Sequence, residues 1–126
     1  MKLNQVTVTL PDLDEGWTFY RALGLMPVVD ARPSYVRFVC PDGESTFSLH
    51  KGDDAGTGTT VYFECDDLDD RYQRLVSDGI VFSGPPQDQS WLWRKAELFD
   101  PGGNRILLYF AGQNRVNPPW RIKTSE

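Results

Sequence analysis

Two segments of this chain repeat one another. Residues 5–25 read QVTVTLPDLDEGWTFYRALGL and residues 60–80 read TVYFECDDLDDRYQRLVSDGI, so at an offset of 55 positions they share a valine, an Asp-Leu-Asp triplet and a glycine. Each segment has the pattern of a strand, an acidic helix start, an amphipathic helix and a terminating glycine. An internal repeat constrains the architecture more than any single residue does, and this one predicts two similar halves.

Length and composition predict one globular domain. With 126 residues, of which 40% are hydrophobic and 25% charged, the chain is long enough to bury roughly two-thirds of its unfolded surface. We expect a single domain over residues 1–112, built from modules of about 1–52 and 59–112. Residues 113–126 are expected to form a C-terminal tail.

Charge, hydropathy and cysteine content limit the partners. The net charge of −5 argues against nucleic acid, because a phosphate backbone needs clustered Lys and Arg. No apolar run has the length of a signal-peptide core or a membrane span, which argues against a membrane partner. With Cys40 and Cys65 as the only cysteines, a disulfide scaffold is not expected. These features predict a cytoplasmic protein.

The first half reads as a strand, a helix and further strands. Residues 2–10 alternate with a period of two, which is typical of a half-buried strand. Asp12 is placed to cap a helix that runs to about Leu23 and stops at Gly24, and an Asp-Gly turn joins two later strands. The later strands are predicted near Met26–Val29, at Tyr35–Cys40 and at Thr46–Lys51, followed by a linker at Gly52–Gly58.

The second half repeats this plan, so each half is predicted as βαβββ in an α+β fold. The tail from Gln113 is expected to be irregular, with Trp120 anchoring it on the body. The predicted elements are a strand Thr60–Cys65, a helix from about Leu68 to Asp78 that stops at Gly79, a strand near Ile80–Phe82, a loop around Gly84-Pro85-Pro86, and strands Trp91–Phe99 and Arg105–Ala111 joined through Asp100–Asn104.

Four stretches carry a resemblance to a known family: the first strand with its Asp-Leu-Asp helix start, FYRALGL at Phe19–Leu25, FECDDLD at Phe63–Asp69, and DPGGNRILL at Asp100–Leu108. Over about residues 3–112 the chain resembles the vicinal oxygen chelate superfamily. That superfamily includes glyoxalase I, extradiol dioxygenases, fosfomycin-modifying enzymes and bleomycin-resistance proteins. The resemblance implies two βαβββ modules forming a curved, eight-stranded open barrel around a cavity, but a shared fold does not assign an activity.

The resemblance also implies where metal-dependent members bind their metal, and this chain lacks the ligands there. Their two histidines correspond to Gln5 and Thr60, their carboxylate to Leu107, and a further glutamate of the lyase branch to Ser48. Catalytic zinc takes three protein ligands, and non-haem iron takes two histidines and a carboxylate. Since His50 is the only histidine, we expect no metal and no cofactor.

Strand alternation predicts which side chains line the cavity. If the valines and leucine of the first strand pack on the helices, the residues between them face inward, and the other strands follow the same parity. This parity also places Tyr35 with Arg37, and Lys95 with the tryptophans. The predicted ligand-binding residues are Gln5, Thr7, Arg37, Ser48, His50, Thr60, Tyr62, Glu64, Trp91, Trp93, Leu107 and Tyr109, a mixture of rings and polar groups typical of a small-molecule pocket.

Some of these residues allow a second interpretation. Trp91 and Trp93 could instead cover the outer face of the sheet or a dimer contact. Glu64 needs a cationic partner, which could be Arg37, Lys95 or a bound ligand. The acidic clusters at the two helix starts are interpreted as helix caps.

Three functions remain open, and no catalytic residue is assigned. We favour a metal-free protein, similar to the bleomycin-resistance proteins, that binds a small aromatic or cationic molecule, since the net charge favours a cation. One alternative is a lyase or dioxygenase with an unconventional metal site. The other is a metal-free acid–base enzyme that uses His50, Glu64 or Tyr109. The resemblance further implies a homodimer.

Overall fold

The structure is a computed structural model that describes residues 2–54, 56 and 58–122. Residues 1, 55, 57 and 123–126 lie outside the described part, and with them two positions of the predicted linker and the end of the predicted tail. The described residues divide into two units: the first holds residues up to 60 together with 99–105, and the second holds 61–98 and those from 106 onward. None of the helices in this part of the chain is long and apolar enough to cross a membrane.

Both halves contain a strand, a helix and three further strands, which confirms the α+β class and the two βαβββ modules. The first half consists of β1 Gln5–Leu10, α1 Leu13–Leu23, β2 Met26–Ala31, β3 Tyr35–Val39 and β4 Thr46–Lys51. The second consists of β5 Thr60–Glu64, α2 Leu68–Ser77, β6 Gln87–Asp88, β7 Arg94–Phe99 and β8 Arg105–Phe110, followed by a 3₁₀ turn at Gly112–Asn114.

The first sheet has the strand order β1-β4-β3-β2, with β1 parallel to β4. Helix α1 covers one face, where the buried Tyr20 ring lies 4.7 Å from the Phe47 ring and 6.1 Å from the Phe38 ring. A Cβ at Gly16 would lie 2.7 Å from Leu49 Cδ1, so a side chain at this position would require the leucine to shift. The apolar face of the sheet is therefore covered, and the polar face carries the candidate residues.

The two helices begin differently, although both follow an acidic cluster. Asp12 Oδ1 accepts hydrogen bonds from the backbone N–H groups of Asp14 and Glu15, at 2.9 and 3.2 Å, as the sequence predicts. Asp67 occupies the equivalent position of α2 but makes no cap hydrogen bond, because its carboxylate accepts from Arg71 Nε at 3.2 Å. The capping interpretation is therefore confirmed for α1 and is wrong for the Asp67 side chain.

The turn between β7 and β8 is held by one buried carboxylate. Asp100 Oδ1 accepts from the backbone N–H groups of Gly102 and Asn104, at 2.9 and 2.8 Å. Asp100 Oδ2 accepts from Tyr20 Oη at 2.7 Å and from Asn104 Nδ2 at 2.9 Å. Gly103 has φ +93°, which explains a glycine there. The predicted connection of the last two strands through Asp100–Asn104 is confirmed.

The second sheet has the order β5-β8-β7-β6, and its sixth strand differs from the prediction. Residues Ile80–Phe82 do not form a strand; Phe82 makes an isolated bridge to Leu98. The sixth strand is Gln87–Asp88, directly after the loop predicted around Gly84-Pro85-Pro86 and in residues to which no strand was assigned. Proline has no N–H to donate, so Pro85 and Pro86 separate the bridge from the strand.

The seventh strand begins at Arg94, so the prediction that it begins at Trp91 is wrong. Gln89 O accepts a hydrogen bond from Leu92 N at 3.1 Å, and Leu92 has φ +67°, an uncommon conformation for a residue with a side chain. These features form the turn between β6 and β7. Trp91 therefore lies in the turn, and strand alternation does not determine the direction of its side chain.

The prediction that Trp120 anchors the tail is also wrong. Its side chain is 56% exposed. The described tail instead contains the 3₁₀ turn, with Asn117 N donating to Gln113 O at 2.8 Å and Arg121 N donating to Pro118 O at 3.0 Å. Local hydrogen bonds therefore form the turns of the described tail.

Candidate functional site

Strand pairing in the first sheet brings polar side chains together on the face opposite α1. Ser48 on β4 lies beside Thr7 on β1 and Arg37 on β3 in the register. Gln5 lies beside Thr46 in the same way. Of the predicted ligand-binding residues, Gln5, Thr7, Arg37 and Ser48 therefore share one patch.

These side chains form a continuous hydrogen-bond network, which we call the polar network: Gln5, Tyr35, Arg37, Thr46 and Ser48. Gln5 Nε2 donates to Ser48 Oγ at 2.8 Å, and Ser48 Oγ lies 2.7 Å from Tyr35 Oη. Arg37 Nε donates to the same phenol oxygen at 2.9 Å. Thr46 Oγ1 donates to Gln5 Oε1. Ser48 is fully buried whereas Arg37 is exposed, so the network runs from the interior to the surface.

Tyr35 is the chemically distinctive member of the polar network. The Ser48 hydrogen bond, and after it the Arg37 guanidinium, lower the pKa of the phenol below its ordinary value. Alternation placed Tyr35 on the face of Arg37, yet our list of ligand-binding residues omitted it. The residue pattern Tyr-Val-Arg on one strand was the available signal.

Two further predicted residues of this unit lie outside the polar network. His50 is exposed, and its Nδ1 lies 3.0 Å from Lys51 O. Thr60 Oγ1 accepts a hydrogen bond from Arg105 Nη1 at 3.0 Å. Neither residue has a hydrogen bond to Gln5, Tyr35 or Ser48 among the described residues.

The second sheet carries three packed rings, which we call the aromatic cluster: Tyr62, Trp93 and Tyr109. Trp93 and Tyr109 are stacked, with centroids 4.8 Å apart and planes at 29°. Tyr62 meets both rings edge-on, at 6.1 and 5.5 Å. Edge-on and stacked pairs are the favoured geometries of aromatic rings. Tyr62 is 47% exposed whereas Tyr109 is buried, so the cluster extends from the interior of the unit to its surface.

The surroundings fix the two stacked rings. Trp93 Nε1 donates to Asn114 O at 3.2 Å, which holds the indole against the first turn of the tail. Burial raises the pKa of Tyr109, and the neighbouring Glu64 adds to this effect. Leu107, two residues earlier on β8, is also buried. Asn114 was not predicted, because a backbone carbonyl in an irregular segment leaves no pattern in the sequence.

Glu64 has partners that the sequence did not suggest. Its Oε2 accepts hydrogen bonds from the backbone N–H groups of Ala111 and Gly112, at 2.8 and 2.9 Å. Its Oε1 lies 3.8 Å from Arg115 Nε. The expected cationic partners Arg37 and Lys95 do not form these contacts. Glu64 therefore caps the 3₁₀ turn that follows β8.

Trp91 lies in the turn before β7, and among the described residues it has no ring contact with Trp93 or Tyr109. Its ring is 41% exposed, and Lys95 Nζ lies 5.5 Å from the ring centroid. This distance is within the range of a cation–π contact. Trp91 and Lys95 thus form a contact of their own beside β7.

The residues at the positions implied for a metal do not fit a metal site. The Gln5 amide and the Ser48 hydroxyl are hydrogen-bonded within the polar network, and Thr60 Oγ1 already accepts from a guanidinium. Leu107 has no donor atom. A hard cation held by neutral oxygens alone would also lack charge compensation. Over the described ranges, no group of three or more His, Cys, Asp or Glu is placed to bind a metal ion.

Comparison with solved structures shows the fold. One similar structure is a member of the glyoxalase/bleomycin resistance protein/dioxygenase superfamily from Sphaerobacter thermophilus, with a TM-score of 0.73, 24% identity, and coverage of 87% of this chain and 97% of that one. A lactoylglutathione lyase from Agrobacterium tumefaciens matches with a TM-score of 0.74, 20% identity, and coverage of 86% and 92%. A bleomycin-binding protein complexed with bleomycin matches with a TM-score of 0.70, 22% identity, and coverage of 87% and 98%.

Comparison with curated protein sequences gives no match. The family comparison does give one: residues 2–108 match the Glyoxalase/Bleomycin resistance protein/Dioxygenase superfamily. This match spans most of the chain, from before β1 into β8. The chain therefore belongs to the glyoxalase/bleomycin resistance protein/dioxygenase superfamily.

Proposed function

We propose that this chain is a metal-free protein that binds a small aromatic or cationic molecule on the aromatic cluster. The observation that carries the proposal is the stacked pair of Trp93 and Tyr109, with Tyr62 edge-on and about half exposed. A rigid group of rings offers a planar guest a stacking surface, and it offers a cation the negative faces of the rings. The net charge of −5 further favours a cationic guest.

The family supports this proposal without deciding it. A bleomycin-binding protein and a lactoylglutathione lyase both share the fold of this chain at 22% and 20% identity. Because one fold serves a binding protein and an enzyme, the choice depends on the residues of the site. The neutral and apolar residues Gln5, Thr60 and Leu107 at the implied metal positions favour binding without a metal.

The alternative of metal-free acid–base catalysis has less support. Glu64 is engaged by two backbone N–H groups, and Tyr109 is buried with a raised pKa. A general base needs an accessible group with a pKa near the working pH. His50 is exposed, but its Nδ1 lies against Lys51 O. Glu64 and Tyr109 are thus engaged or buried, whereas His50 is exposed but lies outside the polar network.

We further propose that the protein is a homodimer, as the resemblance to small two-module members implies, and that it is cytoplasmic, as its composition predicts. The exposed side chains Phe99 and Phe110 are candidates for a contact between subunits. Sedimentation equilibrium over a range of protein concentrations tests this part of the proposal. A mass of one chain at all concentrations would contradict it.

The aromatic cluster is tested by titrating the protein with bleomycin and with ethidium, a planar aromatic cation. We expect saturable quenching of tryptophan fluorescence with at least one of these probes. Trp93→Leu removes the central ring, so calorimetry should show a loss of affinity of about tenfold or more, or ~1.4 kcal/mol. Trp120→Leu is the matched control, because it removes an exposed tryptophan of the same unit and should leave the affinity unchanged. Equal losses in the two variants, or no saturable binding of either probe, would contradict the proposal.

A further inference from the structure

The directions of the hydrogen bonds in the polar network can be derived from one contact. Gln5 Nε2 lies 3.2 Å from the carbonyl oxygen of Val6 and 2.8 Å from Ser48 Oγ. A carbonyl oxygen only accepts, so the Gln5 atom that faces it is the amide nitrogen. Ser48 Oγ therefore accepts a hydrogen bond from Gln5, and its own proton remains to be placed.

Among the described residues, the acceptor open to the Ser48 proton is the phenol oxygen of Tyr35, at 2.7 Å. If Tyr35 donated to Ser48 instead, the Ser48 proton would be buried without an acceptor. Ser48 is fully buried, so water does not supply another acceptor for its proton. Since an unsatisfied buried donor is costly, the bond runs from Ser48 to Tyr35.

Tyr35 Oη thus receives two hydrogen bonds, one from Ser48 and one from Arg37 Nε at 2.9 Å. Its own O–H has no acceptor among residues 2–54, 56 and 58–122. The two incoming bonds also lower the pKa of the phenol, which makes its O–H a stronger donor. The hydrogen bonds from Ser48 and Arg37 therefore orient the Tyr35 phenol, whose own O–H is left to donate.

Arg37 adds further donors to the same place. Its Nε is engaged by Tyr35, and its exposed terminal nitrogens, Nη1 and Nη2, have no hydrogen bond or ion pair with the described residues. The neighbouring positions on the same face are the uncharged Ser48 and Val29. A guanidinium fixed through Nε and without a carboxylate partner presents an unused fork of N–H groups.

We propose that Tyr35 and Arg37 form a binding site for an oxyanion of the carboxylate or phosphate class. The polar groups that Tyr35 and Arg37 leave free are N–H and O–H donors, so the pair suits a group that only accepts hydrogen bonds. The guanidinium fork matches the spacing of two oxygens of such a group, and the phenol O–H supplies a further donor. Ser48 and Gln5 are positioning residues, because they orient the phenol from behind. The proposal does not depend on the aromatic cluster, which belongs to the second unit.

The test is carried out with the full chain labelled with ¹³C at the tyrosine ring carbon that carries the hydroxyl. The Tyr35 signal is assigned by its absence in Tyr35→Phe. Sodium acetate and sodium phosphate are titrated in turn against sodium chloride at constant ionic strength, so that screening is the same throughout. We expect a saturable shift of the Tyr35 signal with acetate or phosphate and none with chloride.

Variants separate the site from general surface charge. Arg37→Gln should weaken the affinity for the anion by about tenfold or more, whereas Arg21→Gln, which removes an exposed arginine of α1, should leave it unchanged. If Arg37→Gln does not fold, Arg37→Lys keeps the charge but not the fork and should give an intermediate affinity. The proposal is overturned if neither anion produces a saturable shift, or if Arg37→Gln binds as well as the unaltered protein. Trp93→Leu should keep the anion response, so failure here is distinguishable from failure of the aromatic cluster.

Discussion

Tyr20 Oη donates a 2.7 Å hydrogen bond to Asp100 Oδ2, and the two residues are 80 positions apart in the sequence. Tyr20 lies in the centre of α1, and Asp100 begins the turn that precedes β8. Both side chains are buried, and Asp100 also accepts from Asn104 Nδ2 and from two backbone N–H groups. The DPGGN sequence therefore functions as a structural element whose carboxylate is satisfied from several directions.

Removing the hydroxyl of Tyr20 should destabilise the protein. Tyr20→Phe keeps the ring contacts with Phe47 and Phe38 but removes one donor to a buried carboxylate. The cost of such a loss is about 1 to 3 kcal/mol in the free energy of unfolding. Urea unfolding followed by circular dichroism measures it. An unchanged midpoint would show that the hydrogen bond contributes nothing net.

The same tyrosine should make stability depend on pH on the alkaline side. Burial raises the pKa of Tyr20 above its usual value, and Asp100 raises it further. A raised folded-state pKa means that this contribution is fully present below about pH 10, the unfolded value, and is lost as the pH rises above it. Urea midpoints of the unaltered protein should fall steeply over that range, whereas those of Tyr20→Phe should fall less. Parallel curves would contradict this account.

Two adjacent glycines of the same turn should respond differently to alanine. A Cβ at Gly102 would lie 2.3 Å from Leu10 Cβ and 3.1 Å from Leu10 Cα, so the backbone would have to move. A Cβ at Gly103 meets nothing within 4 Å, but its φ of +93° is unfavourable for alanine. We expect a loss of about 3 kcal/mol for Gly102→Ala from overpacking and about 1 kcal/mol for Gly103→Ala from backbone strain. Thermal unfolding of both variants checks the order, and the reverse order would contradict the packing.

Glu64 should stabilise the 3₁₀ turn at the start of the tail. Glu64→Ala removes the acceptor of the Ala111 and Gly112 N–H groups, and we expect a loss of about 1 kcal/mol because the side chain is partly exposed. Amide hydrogen exchange should accelerate at these two residues. Glu44→Ala removes an equal charge from an exposed turn and is the control. If exchange at Gly112 is the same in both variants, Glu64 is not the cap.

The tyrosines should ionise in a defined order. The Ser48 hydrogen bond, followed by Arg37, lowers the pKa of Tyr35, whereas burial and then Glu64 raise that of Tyr109. Ring-carbon NMR should therefore show Tyr35 losing its proton at lower pH than Tyr109. Ser48→Ala removes the larger cause and should return the Tyr35 pKa toward its ordinary value of about 10. A Tyr35 curve that does not move in Ser48→Ala would contradict the direction assigned to that hydrogen bond.

The fold was predictable because its signals are local and repeated. Asp12 and Gly24 delimit α1 by capping and by a left-handed conformation, both of which depend on residue type. The repeat of this pattern at residues 60–80 predicted the second module. The start of β7 was not predictable in this way, since Leu92 adopts a positive φ that leucine rarely favours. A turn made by an atypical residue carries no compositional signal.

The sequence could predict which candidate residues share a face of the sheet, but it could not predict their hydrogen-bond partners. Alternation grouped Gln5, Thr7 and Ser48 correctly, because a strand places every second side chain on one side. It could not reveal that Glu64 accepts from backbone N–H groups of the tail, since every residue except proline has such a donor. The direction of the Ser48–Tyr35 hydrogen bond likewise depends on distances between strands that the sequence does not encode locally.

Native mass spectrometry of the untagged, freshly purified protein is the most direct test of the central claim, that this family member binds a small molecule without a metal. It reports bound metal, bound organic molecules and the number of subunits in one spectrum. We predict a metal-free dimer that takes up bleomycin or ethidium, with less uptake by Trp93→Leu than by Trp120→Leu. One tightly bound metal ion per subunit, removed only by chelation, would contradict the claim and would favour the lyase or dioxygenase alternative.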